Sequence, residues 1–458
     1  MRSKYTVYTA MALVVANMVG TGVFTSLGFQ VKSLSSGLAV ILLWVLGGLM
    51  ALSGALTYSE AVVLMPRCGG EYHFLSRMYH PALGFLAGWI SFLVGFAAPV
   101  AASSVAFASY FQGLLNPRLI KSLDHLINGI NSTKLLALLV VVVFTAIHAV
   151  NKIAGAKVQN IFTTFNVMII FFLIAAGLRH GGQSSVSFAF NSMALKNILS
   201  PAFAIAMFFV SYSYSGWNAA AYIADEVANL KRNVPLSLII GSALVMIMYV
   251  LLNFVFLYTV PINEMVGRIE VGHIFAAKIF GQQAGMIMSG AISLLLLASV
   301  SSMVIAGPRV SMVMGEDHYL FRKLSRKSSK DIPFLAIIIQ GLFSIIYILT
   351  SGFERMIIFT GFTLNLFTFL TVLGVMITRH RHPELRREYK TLGYPFTPLF
   401  FLIFQSWIII YGLLYRPKES LAGVAIALSG LIIYLISSRS ASKVKNNLPP
   451  ESQCPEDK

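Results

Sequence analysis

Two stretches of this chain place glycine and small hydroxyl residues in the middle of apolar runs long enough to cross a bilayer. They are Asn17-Met18-Val19-Gly20-Thr21-Gly22-Val23-Phe24 and Ser211-Tyr212-Ser213-Tyr214-Ser215-Gly216-Trp217-Asn218. A helix interrupted at such a point frees backbone N–H and C=O groups at membrane depth, which is costly unless protein, water or a ligand satisfies them. The chemistry on offer is recognition rather than bond-making. Helix N-termini carry partial positive charge suited to a carboxylate, and freed carbonyls accept from an ammonium, so a zwitterion fits both. Interrupted helices at matching points of two halves mark a transporter's substrate site. The chain therefore reads as a carrier of a small solute.

The plainer alternative is that Gly20 and Gly22 only let helices approach closely; an interruption in both runs favours binding. Gly84-x-x-x-Gly88 and Gly281-x-x-x-Gly285 read as packing alone. No Asp, Glu, Lys or Arg lies in the centre of an apolar run, and Glu60, Asp225, Glu226 and Arg309 fall at expected cytoplasmic ends. Intramembrane charges mark proton relays, so their absence disfavours a buried carboxylate pathway and an acid-held cationic substrate. An enzyme would need a nucleophile–base pair or metal ligands at depth. His148 stands alone, and neither His-Glu-x-x-His nor Gly-x-Ser-x-Gly occurs. No cofactor or metal is expected. A sensor that does not transport would call for a soluble signalling module, for which the polar end is too short.

The elements that must position these residues are membrane helices. Of 458 residues, 57% are hydrophobic and 11% charged, against about one quarter charged in soluble domains. Twelve apolar runs reach spanning length, near 6–31, 36–62, 82–113, 134–151, 156–178, 197–224, 234–260, 281–307, 333–351, 355–378, 395–415 and 420–438. The net charge of +17 is not a nucleic-acid signature, because it concentrates in loops. Arg309 to Lys330 carries six basic residues and Arg379 to Lys390 five. This bias puts both termini and loops 63–81 and 308–332 in the cytoplasm, with loop 179–196 outside and the lipid bilayer as surroundings. Cys68 and Cys454 both fall on the cytoplasmic side and predict no disulfide. The uncharged run after Lys4 is too long for a signal-peptide core, so it is span 1.

Residues 1–438 form one twelve-span domain, and 439–458 read as a disordered cytoplasmic tail. Of the longer outer loops, 114–133, 179–196 and 261–280, the last reads as an amphipathic helix lying at the interface. The interruption of span 1 recurs in span 6, five spans later. A five-span unit repeated with an odd number of spans must be inverted, which leaves spans 11 and 12 as an appendage.

Five stretches carry a resemblance to a known family: Gly20-Thr21-Gly22-Val23-Phe24, "YSEAVVLMPRCGGEYHFLSRMYHPALGFLAGW" (58–89), "KVQN" (157–160), "YSYSGWNAAAYIADEVANLKRNVPLSL" (212–238) and "AGPRVSMVMGEDHYLFRKLS" (306–325). They resemble the amino acid–polyamine–organocation (APC) superfamily, close to its L-type amino acid transporter branch. The resemblance implies an all-α, twelve-helix, five-plus-five inverted repeat of the leucine-transporter type. It implies secondary transport of small or neutral L-amino acids across the cell membrane by alternating access, with another zwitterion or an amine as the alternative cargo.

By the same resemblance Thr21, Gly22 and Val23 hold the substrate carboxylate through backbone N–H groups, beside Gly20. Tyr212, Ser213 and Ser215 offer carbonyls to the amino group, beside Gly216. Tyr212 also matches the family's gating aromatic, while Tyr214 and Trp217 read as packing. Many L-type relatives have a lysine where this chain has Asn166, occupying the place sodium takes in sodium-coupled relatives. Ser301 and Ser302 fall near hydroxyl ligands of those relatives, or bond back to their own helix. Sodium coupling, proton coupling and ion-independent exchange all stay open. Animal L-type carriers bind a heavy chain through a cysteine in the loop after span 3; loop 114–133 has none, so no disulfide-linked partner is expected.

Overall fold

A computed structural model of the chain describes residues 5–67, 69–115, 131–150, 156–182, 184–328 and 332–446. Cys68, Cys454, most of loop 114–133 and the tail beyond 446 lie outside them. No strand forms among the described residues. Ten of their helices are long and apolar enough to cross a membrane, and a pair bent by 67° at Leu199–Ser200 makes an eleventh. Phe334–Thr350, an apolar helix of 17 residues, lies between two of these and completes the expected series of twelve.

In chain order, span 1 is the pair Val7–Met18 and Thr21–Gln30, span 2 is Gly37–Leu64, and span 3 runs from Pro81–Ile90 through a π-helical segment to Ala97–Gln112. Span 4 is Ser132–Val150, span 5 Ala156–His180, and span 6 is Pro201–Tyr214 followed by the 3-10 segment Ala219–Glu226. Leu230–Thr259, Gln282–Asp317, Phe334–Thr350, Phe353–Arg381, Phe396–Tyr415 and Pro417–Asn446 are spans 7 to 12. Each helix satisfies its own backbone, the condition for crossing a hydrocarbon layer. Side chains then sort by neighbour. Span 2 buries Leu43 and Trp44 completely, whereas span 11 leaves Phe396, Ile403 and Leu414 largely exposed, as a lipid-facing surface does.

The helix of span 8 carries on past the end of its apolar run at 307 to Asp317. Pro308 removes only one N–H from the ladder, and the Gln340 side chain of span 9 donates to the Met303 carbonyl (3.1 Å) just before it. The 261–280 segment forms a helix tied to the bundle. Its helix Val271–Phe280 buries Val271 and Phe275 completely and packs on span 8, and the Gly272 N–H donates to the Tyr110 hydroxyl (3.2 Å). At the other face, buried Glu60 accepts two bonds from Arg379 (3.2 and 3.0 Å) and two from Thr391, fastening the chain between spans 10 and 11 to span 2.

The two broken spans run in opposite directions and cross at their breaks. The Tyr5 N–H donates to Glu226 O (2.8 Å) and the Ala228 N–H to Tyr5 O (2.9 Å), so span 1 begins where span 6 ends. At the crossing, a Cβ on Gly22 would stand 2.5 Å from the Ser213 Cα. Only a bare backbone fits there. Span 7 supplies what the breaks lack. The Tyr249 hydroxyl donates to Met18 O (2.6 Å), with Ser213 O at 3.2 Å sharing the same hydrogen, so one phenol serves carbonyls freed at both breaks. Tyr249 is held between Trp44 (5.5 Å, edge-on) and Tyr214 (5.1 Å), and Tyr214 donates to Trp44 O (2.9 Å).

Removing that hydroxyl leaves two buried carbonyls without their donor. Tyr249→Phe is expected to cost about 1–3 kcal/mol of stability, read as a lowered Tm of the purified protein in detergent. An unchanged Tm would mean that water reaches these carbonyls.

Candidate substrate site

The second half of span 1 starts after Gly20, whose backbone lies outside helical geometry (φ −151°, ψ −139°), with no side-chain cap on its first-turn N–H groups. Thr21 and Val23 are buried there. An uncapped, desolvated helix N-terminus attracts a carboxylate. The Thr21 hydroxyl is taken by Ser103 of span 3, and its carbonyl by Thr25 (2.8 Å). A Cβ on Gly20 would meet the Ser299 hydroxyl at 3.1 Å. Gly22 is therefore a packing glycine as well as a candidate binding one. Any side chain there pushes span 1 off span 6, so its substitution cannot separate the two roles.

Below the crossing lies a cavity of about 1430 Å³ whose wall includes Asn17, Tyr212, Ser215, Gly216, Asn365 and Gln405. Gly216 makes the turn after Tyr214 in a left-handed conformation (φ +98°), and a Cβ added to it would stand 2.8 Å from the Asn17 backbone. Both facts demand glycine. Ser213 faces the crossing instead: its hydroxyl donates to Phe209 O (2.7 Å) and meets Ser26 (3.0 Å). Ser215 gives its hydroxyl (2.6 Å) and its N–H (3.0 Å) to the Tyr212 carbonyl. Both lone pairs of that carbonyl are thus engaged, and the Ser213 carbonyl already faces Tyr249. An arriving ammonium has to compete for them.

The wall also holds a polar cluster that sequence reasoning missed. Ser211 donates to the Asn365 side-chain oxygen (2.7 Å), and the Gln405 amide lies 3.4 Å from that oxygen and from the Thr368 hydroxyl. Asn365 Nδ2 and Gln405 Oε1 have no partner, although the two residues are only 5% and 2% exposed. One idle donor and one idle acceptor are unfavourable where they lie, and a ligand meets them only if the wall shifts to uncover them. The available signal was a single amide inside each of two apolar spans.

The residues expected to bear on coupling are separated. Asn166 is buried on span 5 with its Oδ1 unpartnered, and it does not line the cavity. Ser301 bonds to His148 Nε2 of span 4 (2.9 Å) rather than to its own helix, while Ser302 is half-buried beside it. Among the described residues no three His, Cys, Asp or Glu side chains come together to hold a metal.

The cavity opens on the face that carries Arg67, Arg309, Glu226 and Glu316. Ion pairs there are loose and exposed, Arg67–Asp317 at 3.3 Å and Arg309–Glu226 at 4.0 Å, and such pairs stabilise little. Tyr72 donates to Asp317 (2.7 Å), and burial with that carboxylate pushes its phenol up. Burial holds the neighbouring His318, packed among Phe85, Tyr72 and Tyr434, below its ordinary value. The opposite face is shut. Phe29 stacks between Phe209 and Phe353, each 5.5 Å away, and Glu354 bridges Lys32 (2.9 Å) and Arg416 (2.8 Å) across spans 1, 10 and 11.

Tyr212 sits where the cavity meets the crossing and is 5% exposed. Its phenol reaches the Thr21 side chain, so the gating role expected of it rests on the bulk of the ring. Tyr212→Ala is expected to raise KM for transported substrate about tenfold or more, the scale of losing a buried aromatic contact, with Tyr212→Phe close to unchanged. Equal, small effects of both in an uptake assay would remove the gate role.

The chain matches the model of a family described as amino acid permease over residues 5–437. It is 25% identical to the b(0,+)-type amino acid transporter 1 of Mus musculus over 435 residues, covering 93% of this chain and 86% of that protein. It is 27% identical to the large neutral amino acids transporter small subunit 2 of Oryctolagus cuniculus, covering 93% and 79%. To the serine/threonine exchanger SteT of Bacillus subtilis (strain 168) it is 26% identical, covering 94% and 96%. With the family model spanning almost its full length, this chain belongs to the amino acid permease family.

Proposed function

We propose that the protein exchanges small neutral L-amino acids with polar side chains, serine and threonine foremost, across the cell membrane by alternating access. The observation that carries this reading is the pair of idle amide atoms, Asn365 Nδ2 and Gln405 Oε1, beside the two helix breaks. The breaks suit the part common to all amino acids: first-turn N–H groups at Thr21, Gly22 and Val23 for the carboxylate, and carbonyls near Tyr212, Ser213 and Ser215 for the ammonium. The amide pair suits a hydroxyl that both donates and accepts. A site built to bond a substrate hydroxyl rejects the analogue lacking it. The likeness to a serine/threonine exchanger supports the same assignment.

The basic loops put both termini and the open mouth of the cavity in the cytoplasm, which makes this the inward-open state. The opposed run of spans 1 and 6 supports a five-plus-five inverted repeat, with spans 11 and 12 outside it. Ion-independent exchange is favoured over sodium symport because Ser301 is committed to His148. Asn166 then serves as a neutral amide on span 5. The loop after span 3 has no cysteine, so the protein works without a disulfide-linked heavy chain.

In proteoliposomes, uptake of labelled serine should need serine or threonine inside and run equally fast in sodium and in choline. Sodium-stimulated uptake that proceeds without internal amino acid would replace exchange with symport. Asn365→Leu should cut serine relative to alanine by about 1–3 kcal/mol of discrimination. An unchanged serine-to-alanine ratio would move the side-chain subsite elsewhere.

A further inference from the structure

Glu71 begins the short helix Glu71–Met78 between spans 2 and 3, and nothing in the substrate site uses it. It is 5% exposed, yet it forms part of the cavity wall. Its carboxylate accepts three hydrogen bonds. The Tyr58 hydroxyl of span 2 donates at 2.9 Å, the Asn218 amide at 2.6 Å and the Tyr222 hydroxyl at 2.5 Å. All three donors are neutral. Among the described residues no basic side chain forms an ion pair with Glu71, and nearby Arg67 pairs with Asp317 instead.

Asn218 and Tyr222 belong to the arm of span 6 that follows Gly216. This arm is jointed: Gly216 turns at φ +98°, Ala219–Glu226 is a 3-10 segment, and Ile223 leaves helical geometry (φ −121°, ψ 23°). It also walls the open cavity through Trp217, Asn218, Tyr222 and Ile223. Against span 2 it rests by Trp217, edge-on to Tyr58 at 4.7 Å. Two of the three bonds on this carboxylate come from the arm, whereas the arm's ion pair Glu226–Arg309 is long, at 4.0 Å.

We propose that Glu71 is a positioning residue for transport, a charged latch that fastens the span 6 arm to span 2 and to the following loop and so holds the cavity open. Closing the cavity from this face requires the arm to swing about Gly216, and the swing has to break the bonds to Glu71 or to carry Glu71 along. Neutralising the carboxylate weakens all three bonds together. The equilibrium then moves away from the open state by as much as the latch favoured it.

The test reads openness directly and needs no substrate, so it succeeds or fails independently of the amino acid assignment. In a Cys68→Ser, Cys454→Ser background, Ala306→Cys on span 8 reports the cavity, whose wall includes Ala306. Its rate of reaction with a water-soluble maleimide is measured in membranes open to both faces. Glu71→Gln should slow labelling severalfold per folded molecule, and Tyr222→Phe, which keeps the charge and removes one donor, should slow it less. A residue that only helped folding would lower the yield and leave that rate unchanged. Should Glu71→Gln not give folded protein, Tyr222→Phe and Asn218→Ala carry the test, and each must slow labelling. Rates equal to or above that of the parent in the folded variants overturn the latch.

Discussion

The constraint on which the rest depends is that a backbone opened inside a membrane must find partners for its N–H and C=O groups without bulk water. Spans 1 and 6 both open, at Gly20 and Ser215, and they open beside one another. Placing the breaks together lets a few groups serve both. Tyr249 reaches Met18 O and Ser213 O with one hydroxyl, and within span 6 Ser215 closes on the Tyr212 carbonyl. What these bonds leave over is the uncapped first turn of Thr21–Gln30. The candidate substrate site includes that remainder, and its positive end is what an amino acid's carboxylate would complete.

Close approach follows from the same constraint. Two backbones can share donors only if nothing stands between them, which is why Gly22 lies against Ser213 and Gly216 against Asn17. Packing and binding are not alternatives at these glycines; close packing of the two backbones creates the polar end that would bind. The aromatic trio of Trp44, Tyr214 and Tyr249 then fixes the one phenol that has to point correctly. Around this rigid crossing the two ends differ. One is sealed by the Phe29 stack and the Lys32–Glu354–Arg416 triad, and the other is open, with exposed pairs that cost little to break.

Much of this was legible in the amino-acid order. Run length and apolarity located the spans, and glycine beside small hydroxyls inside apolar runs located both breaks. The groups that complete the site were not legible, because their meaning depends on which helix lies alongside. Tyr249 is one tyrosine in an apolar span until it is seen between two opened helices. Asn365 and Gln405 lie forty residues apart on different spans and become a pair only through packing. Glu71 sits in a loop by sequence and in the cavity wall by structure. The apolar run ends at 307, but the helix carries on through Pro308 to Asp317. Local pattern carries the elements, and long-range contact decides the chemistry.

The central claim is that the two opened backbones bind the carboxylate and ammonium of an amino acid. Ligand-induced thermal stabilisation of the purified protein tests it most directly, comparing L-serine with its methyl ester and with N-acetylserine, which remove one charged end each. The account predicts a concentration-dependent rise in Tm with L-serine and none with either blocked form at the same concentrations. Equal stabilisation by the blocked forms would contradict it, because the ligand would then be held elsewhere than between the two breaks.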